Sequence, residues 1–179
     1  MQPIFSDIFF NIILIGMAGV GKSTVGHVLA QICEKKFIDT DELITKQVGM
    51  NLQEYLDQVG IDAFQRLEEK TLLTISPQGL IVATGGSAIY SETGMAHLRT
   101  TGLLVLLETP LAILEQRVHN QDTRGLVNPG AGSFRDLYFA RRPLYRKWAG
   151  LRIPADTGSP EDIARKILDR LPDTVTAST

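Results

Sequence analysis

At 179 residues the chain is long enough to bury one core and fits a single domain. Its hydrophobic fraction of 44% and charged fraction of 21% are those of a soluble globular protein, and a net charge of −2 without any lysine- or arginine-rich run leaves no nucleic-acid footprint. The lone cysteine, Cys33, excludes an internal disulfide; it reads as a small buried filler in a reducing, cytoplasmic setting.

The first apolar stretch, Ile4 to Ile15, has no basic residue before it, is interrupted by Asp7 and runs into glycines rather than a cleavage site. It reads as a short leader followed by a strand, Asn11 to Ile15, and is too short to span a bilayer. A flat apolar run suits a central strand covered on both faces. Lys22 to Lys35 reads as a helix, with Val25, Val28, Leu29 and Ile32 at helical spacing. Phe37 and Ile38 form a short strand. Glu42 to Val48, Leu52 to Gln58 and Phe64 to Ile75 read as helices broken at Gly49 and Gly60. Leu80 to Ala83 and Leu103 to Leu107 are further strands.

Thr109 and Pro110 are expected to open a helix as N-cap and first residue, running to about His119. Residues 120–133 hold three glycines around Arg124 and read as a mobile lid. A helix over Phe134 to Ala149 contains Pro143, where a kink or restart is expected. Arg152 to Ala155 is a candidate fifth strand, Ser159 to Asp162 a capping box opening the last helix, and Pro172 to Thr179 a frayed tail. Strands alternating with helices give an α/β fold on a parallel sheet, in one domain over 1–179.

Three groups of residues carry chemistry. Gly16-Met-Ala-Gly-Val-Gly-Lys-Ser23 has P-loop spacing. Its glycines let backbone N–H groups curl towards phosphate oxygens, and the helix from Lys22 adds its positive end. Gly16, Gly19, Val20, Gly21, Lys22, Ser23 and Thr24 are therefore candidate ATP-binding residues, with Lys22 on the β- and γ-phosphates and Ser23 on Mg²⁺. Asp39 and Asp41 end the second strand two residues apart, on one side. One carboxylate can hold Mg²⁺ through water and the other can take the proton of an attacking hydroxyl, although a helix N-cap explains the same residues. Arg124, Arg141 and Arg142 form the third group; an arginine from a lid can offset charge on a transferring phosphoryl group. His27, His97 and His119 have no metal-like spacing.

Taken in order, Gly16 to Gly26, Phe37-Ile-Asp-Thr-Asp41, Phe64-Gln-Arg-Leu-Glu68, Ala83-Thr-Gly-Gly-Ser87, Arg124 and Arg141-Arg-Pro-Leu-Tyr145 resemble the shikimate kinase family over about residues 11–170. The resemblance implies a three-layer P-loop fold, with a five-stranded parallel sheet, a lid, and an acceptor-binding region over about 41–76. It implies Lys22, Ser23, Asp39 and Arg124 around MgATP, Asp41 with the Gly85-Gly86 turn at the acceptor hydroxyl, and Arg141 on an acceptor carboxylate.

Four positions depart from the family pattern: Ile61 in place of Glu, Gln65 in place of a carboxylate-binding arginine, Ser87 in place of a third glycine, and Gly125 in place of proline. Three of them fall on the acceptor side. The expected activity is ATP-dependent phosphorylation of a hydroxyl of a small metabolite, shikimate or something similar, by a monomer with no nucleic-acid or membrane partner. A kinase with a changed acceptor and a non-catalytic nucleotide- or metabolite-binding module remain as alternatives.

Overall fold

The structure is a computed structural model and describes residues 10–119 and 132–172. The expected leader, the C-terminal tail beyond Pro172, and the lid with Arg124 and Gly125, apart from Gly132 and Ser133, lie outside the described residues.

Five strands form one parallel sheet: β1 (Asn11–Ile15), β2 (Phe37–Asp39), β3 (Ile81–Ala83), β4 (Gly102–Glu108) and β5 (Leu151–Pro154). Their spatial order is β2-β3-β1-β4-β5, so β1 is central. Ile13 sits in register with Val82 on one side and Leu104 on the other. All five residues of β1 are buried, which is why this strand reads as a flat apolar run rather than an alternating one. Asn11 is the polar exception. Its Nδ2 donates to the Ser76 carbonyl at 2.9 Å, and its Oδ1 accepts from the amides of Gln78 and Leu80, tying down the turn that feeds β3.

Helix α1 (Lys22–Cys33) follows β1 and packs against α7 (Pro160–Leu168). Gly26 lets α1 lie close on β2, since a Cβ there would come within 2.3 Å of the Phe37 ring. Helix α2 (Thr40–Val48) begins directly on β2. Asp41 thus lies in the first turn of a helix, not on a strand, and strand alternation does not govern where it points.

The two helices expected on either side of Gly60 join as α3 (Leu52–Leu73), with Gly60 alone non-helical at φ 79° and ψ 169°. A 3-10 turn (Ala88–Tyr90) and α4 (Glu92–Thr101) were not foreseen. The α4 segment carries Gly94 and three threonines with only Met95 and Leu98 deeply buried among its large apolar side chains, so periodicity is faint. It is set instead by Ser91, whose hydroxyl accepts from the Gly94 amide at 2.8 Å.

Helix α5 (Leu111–His119) starts one residue later than expected. The Pro110 carbonyl accepts from the amides of Ile113 and Leu114, so Pro110 occupies the cap position. Thr109 is not the cap; it is buried, and its hydroxyl has no hydrogen-bond partner. Helix α6 (Phe134–Trp148) runs through Pro143 without a restart. Pro143 and Phe139, whose carbonyl would have taken the missing N–H, both lie on the exposed side, where water can serve that carbonyl. Capping boxes at Ser133–Asp136 and Ser159–Asp162 start α6 and α7.

Candidate active site

The loop after β1 crosses the C-terminal edge of the sheet. Gly16 leaves the strand at φ 147°, and a Cβ there would lie 2.7 Å from the Leu107 carbonyl oxygen, so this position accepts only glycine. Gly19 and Gly21 also have positive φ. Gly21 caps α1 with left-handed backbone and no side-chain hydrogen bond, and no acidic residue lies in the first turn. The N-terminal amides of α1 and its positive dipole end therefore face the loop without a carboxylate of the helix's own first turn. Lys22 Nζ folds back and donates to the carbonyls of Gly16 at 2.9 Å and Met17 at 3.0 Å. Val20 is buried behind the loop, and Thr24 is exposed on α1.

Ser23, one residue on, donates its hydroxyl to Asp39 Oδ2 at 2.7 Å. The other oxygen, Asp39 Oδ1, accepts from the Asp41 amide at 2.9 Å and caps α2. The cap and the metal-side readings of Asp39 are thus compatible, because each takes a different oxygen. Ser23, Asp39 and Asp41 line a cleft of about 650 Å³ walled by Glu42, Thr45 and Leu52.

The turn after β3 closes the other side. The Gly85 amide donates to the buried Thr40 hydroxyl at 3.0 Å, which pins the turn to the start of α2. A Cβ on Gly85 would lie 2.5 Å from Asp41 Oδ1 and 2.7 Å from Glu68 Oε1, so two carboxylates converge on this backbone. Glu68 is buried and accepts from Ser87 Oγ at 2.9 Å. Burial pushes its carboxyl up to about 8; the Ser87 hydrogen bond opposes this, neighbouring Asp41 adds to it, and Arg141 opposes it.

Arg141 is only 1% exposed. Its Nε donates to the Tyr90 hydroxyl at 3.4 Å, its guanidinium lies 5.3 Å from that ring's centre, and a Cβ on Gly86 would sit 3.0 Å from Nη1. Tyr145 donates to the Gly86 carbonyl at 2.7 Å, and burial raises its phenol well above the ordinary range. Gln65 is half-buried, three residues before Glu68 on α3.

The structure thus links Ser23, beside Lys22, to Asp39 and Asp41 by hydrogen bonds, and places Asp41 against Gly85 and Arg141 against Gly86. Arg124 falls outside the described residues. The sequence alone gives no role to Glu68, Ser87 or Tyr90, and to Thr40 only that of an alternative helix cap, which Asp39 takes. Glu68 did leave a signal: Phe64, Glu68 and Leu72 repeat at four-residue spacing on the buried stripe of α3, and a carboxylate on such a stripe calls for a partner.

Comparison with known proteins agrees with this geometry. The family model described as shikimate kinase matches residues 18–172. The shikimate kinase of Pasteurella multocida (strain Pm70) is 34% identical over 163 residues, 89% of this chain and 93% of that protein. Human threonine synthase-like 1 is 35% identical over 164 residues, 90% of this chain but 22% of that longer protein. The structure of the Acinetobacter baumannii shikimate kinase in complex with shikimate superposes with a TM-score of 0.79 at 32% identity, covering 91% of this chain and 93% of that one. With a phosphate loop, a carboxylate beyond it and this match over most of its length, the chain belongs to the shikimate kinase family of ATP-dependent kinases.

Proposed function

We propose that this protein transfers the γ-phosphoryl group of ATP to a hydroxyl of shikimate. The observation that carries the reading is the placement of Asp41 at the Gly85 backbone, next to Gly86, which lies against both the Ala18 amide of the phosphate loop and the buried cation Arg141. A hydroxyl held there has a base on one side and a carboxylate-binding group further along.

The residues present fit Mg²⁺ with ATP. Ser23 Oγ and Asp39 are hard oxygen donors 2.7 Å apart beside a loop whose Gly16, Gly19 and Gly21 all have positive φ. A magnesium ion in a kinase needs only one or two protein oxygens, the rest coming from phosphate and water. Bound there, it would offset charge on the phosphate oxygens. Lys22 would leave its two loop carbonyls for the β- and γ-phosphates. Asp41 would orient the acceptor hydroxyl and take its proton as the oxygen–phosphorus bond forms and the bond to ADP breaks. Arg141 would hold the acceptor carboxylate, and Arg124 is the sequence candidate for the γ-phosphate side.

We read the protein as one domain acting as a cytoplasmic monomer on small molecules. In support, the exposed large apolar side chains among the described residues are few, with Val59 and Leu73 fourteen residues apart on α3 and Phe139 on α6, and no described helix is long and apolar enough to cross a membrane. ADP release measured with shikimate, quinate and small hydroxy acids tests the function. Release no faster with shikimate than without acceptor overturns it, and tight ATP binding with no acceptor-dependent release would indicate a binding module.

Gln65 favours a second reading, in which the acceptor carries a smaller or less acidic group than shikimate. An amide offers a neutral donor where a guanidinium would make paired charged bonds, a difference of roughly 10- to 150-fold in affinity. A micromolar KM for shikimate in the wild type excludes this second reading.

A further inference from the structure

Glu68 poses a question that the phosphoryl-transfer reading does not answer. Its carboxyl is buried against the Gly85 backbone beside Asp41, and among the described residues its side chain has one hydrogen-bond partner, Ser87 Oγ at 2.9 Å. A buried carboxyl group demands either a cation or a hydrogen-bond donor. A cation placed at position 65 could reach it, because residues three apart on a helix are neighbours. Position 65 is Gln. The donor is supplied from across the site instead, by the residue that follows the Gly85-Gly86 turn.

We propose that Ser87 is a specificity-determining residue whose hydroxyl takes the place of a cation at position 65 as the hydrogen-bond partner of Glu68, leaving Arg141 as the single cation of the carboxylate end among the described residues. Gln65 and Ser87 form one unit. Each tolerates the other: a neutral residue at 65 leaves Glu68 in need of a donor, and the serine gives it one without adding charge. The acceptor end then suits a singly charged polyhydroxy acid held by one guanidinium, with the Ser87–Glu68 pair presented to its hydroxyls. The proposal rests on the reading of this region as the acceptor site.

Coupling between the two positions is the test, measured on the full chain as wild type, Ser87→Gly, Gln65→Arg and the double variant. The readout is KM for shikimate and, separately, KM for ATP. Ser87→Gly alone should raise the shikimate KM by about two- to tenfold, the loss of one buried hydrogen bond. Gln65→Arg alone should change it less than about threefold, since on this proposal the gain expected of a guanidinium here needs Glu68 to hold it towards the acceptor, and Ser87 already engages Glu68. In the double variant the introduced guanidinium gains Glu68, and KM should fall at least about tenfold below that of Ser87→Gly, as expected for a charged hydrogen bond.

An interaction of about threefold or more supports the proposal; a smaller one overturns it, the two positions then acting independently. Parallel changes in the ATP KM also overturn it, because they mark general damage. Shikimate-dependent ADP release from none of the four proteins would refute the proposed function instead. The Ser87–Glu68 link is then decided by melting temperature: Ser87→Ala should lower it in the wild type but not in Glu68→Met. An equal loss in both backgrounds overturns the link.

Discussion

Lys22 donates to two carbonyls of its own loop, so it reaches phosphate only by exchanging those bonds. Lys22→Met should remove turnover while leaving the fold, because the charge that builds on the phosphoryl oxygens loses its mobile partner. Residual ADP release above a tenth of wild type, about 1.4 kcal/mol of barrier, would show that Lys22 lacks this role. The Asp41 carboxylate lies against the Gly85 backbone, and its amide donates to Asp39. Asp41→Asn should accordingly lower kcat by about 10²–10⁴-fold with ATP affinity nearly intact. An equal loss of ATP binding, measured by titration calorimetry, would place Asp41 at the metal. At this scale the glycine loop, both aspartates and Arg141 were legible from spacing and resemblance. Thr40 was not, because one hydroxyl bonded 45 residues away to Gly85 leaves no local pattern.

The elements were legible where periodicity was strong. The strands β1 and β4 and the helix α1 are bounded nearly as the sequence suggests, since each carries a dense apolar face. Helix α4 was missed because tertiary packing on Leu72, not propensity, holds it: a Cβ on Gly94 would lie 2.7 Å from Leu72 Cδ1. The Thr109 cap failed for a related reason, burial having taken its hydroxyl away from the helix end. Close packing also gives a prediction. Gly26→Ala puts a methyl into the Phe37 ring at the α1–β2 contact and should destabilise by about 1–3 kcal/mol. Urea unfolding checks this; an unchanged midpoint would mean the ring moves away freely. Ser159→Ala, which removes the α7 cap, should cost about 1 kcal/mol in the same assay.

For the molecule as a whole, Glu68 links acidity to stability. Its carboxyl is raised to about 8 by burial, above its ordinary value near 4.5, so the folded chain holds a proton that the unfolded chain releases. The stability this proton lends is complete below pH 4.5 and is lost as pH rises towards 8. The slope is at most about 1.4 kcal/mol per pH unit. Melting temperature should therefore fall from pH 5 to 8 more steeply in the wild type than in Glu68→Gln, and parallel curves would remove Glu68 as the cause. Asp136 and Asp162, lowered chiefly by their Ser133 and Ser159 hydrogen bonds, act in the opposite sense and in the acid range below ordinary carboxylate values. Cys33 reports on the same global transition. Burial raises its thiol to about 11 against a partial opposing effect of Lys35, so a thiol reagent at neutral pH should react only as fast as the chain unfolds.

Asp39 spends one oxygen on Ser23 and the other on the start of α2. A descendant that lost catalysis would still be selected to keep this aspartate, or the asparagine that caps equally well, because the helix depends on it. Among distant relatives, then, an acidic residue here is a poor witness to activity, whereas its replacement by asparagine would be a sharp sign of loss: the fold retained and the charge proposed for the metal gone.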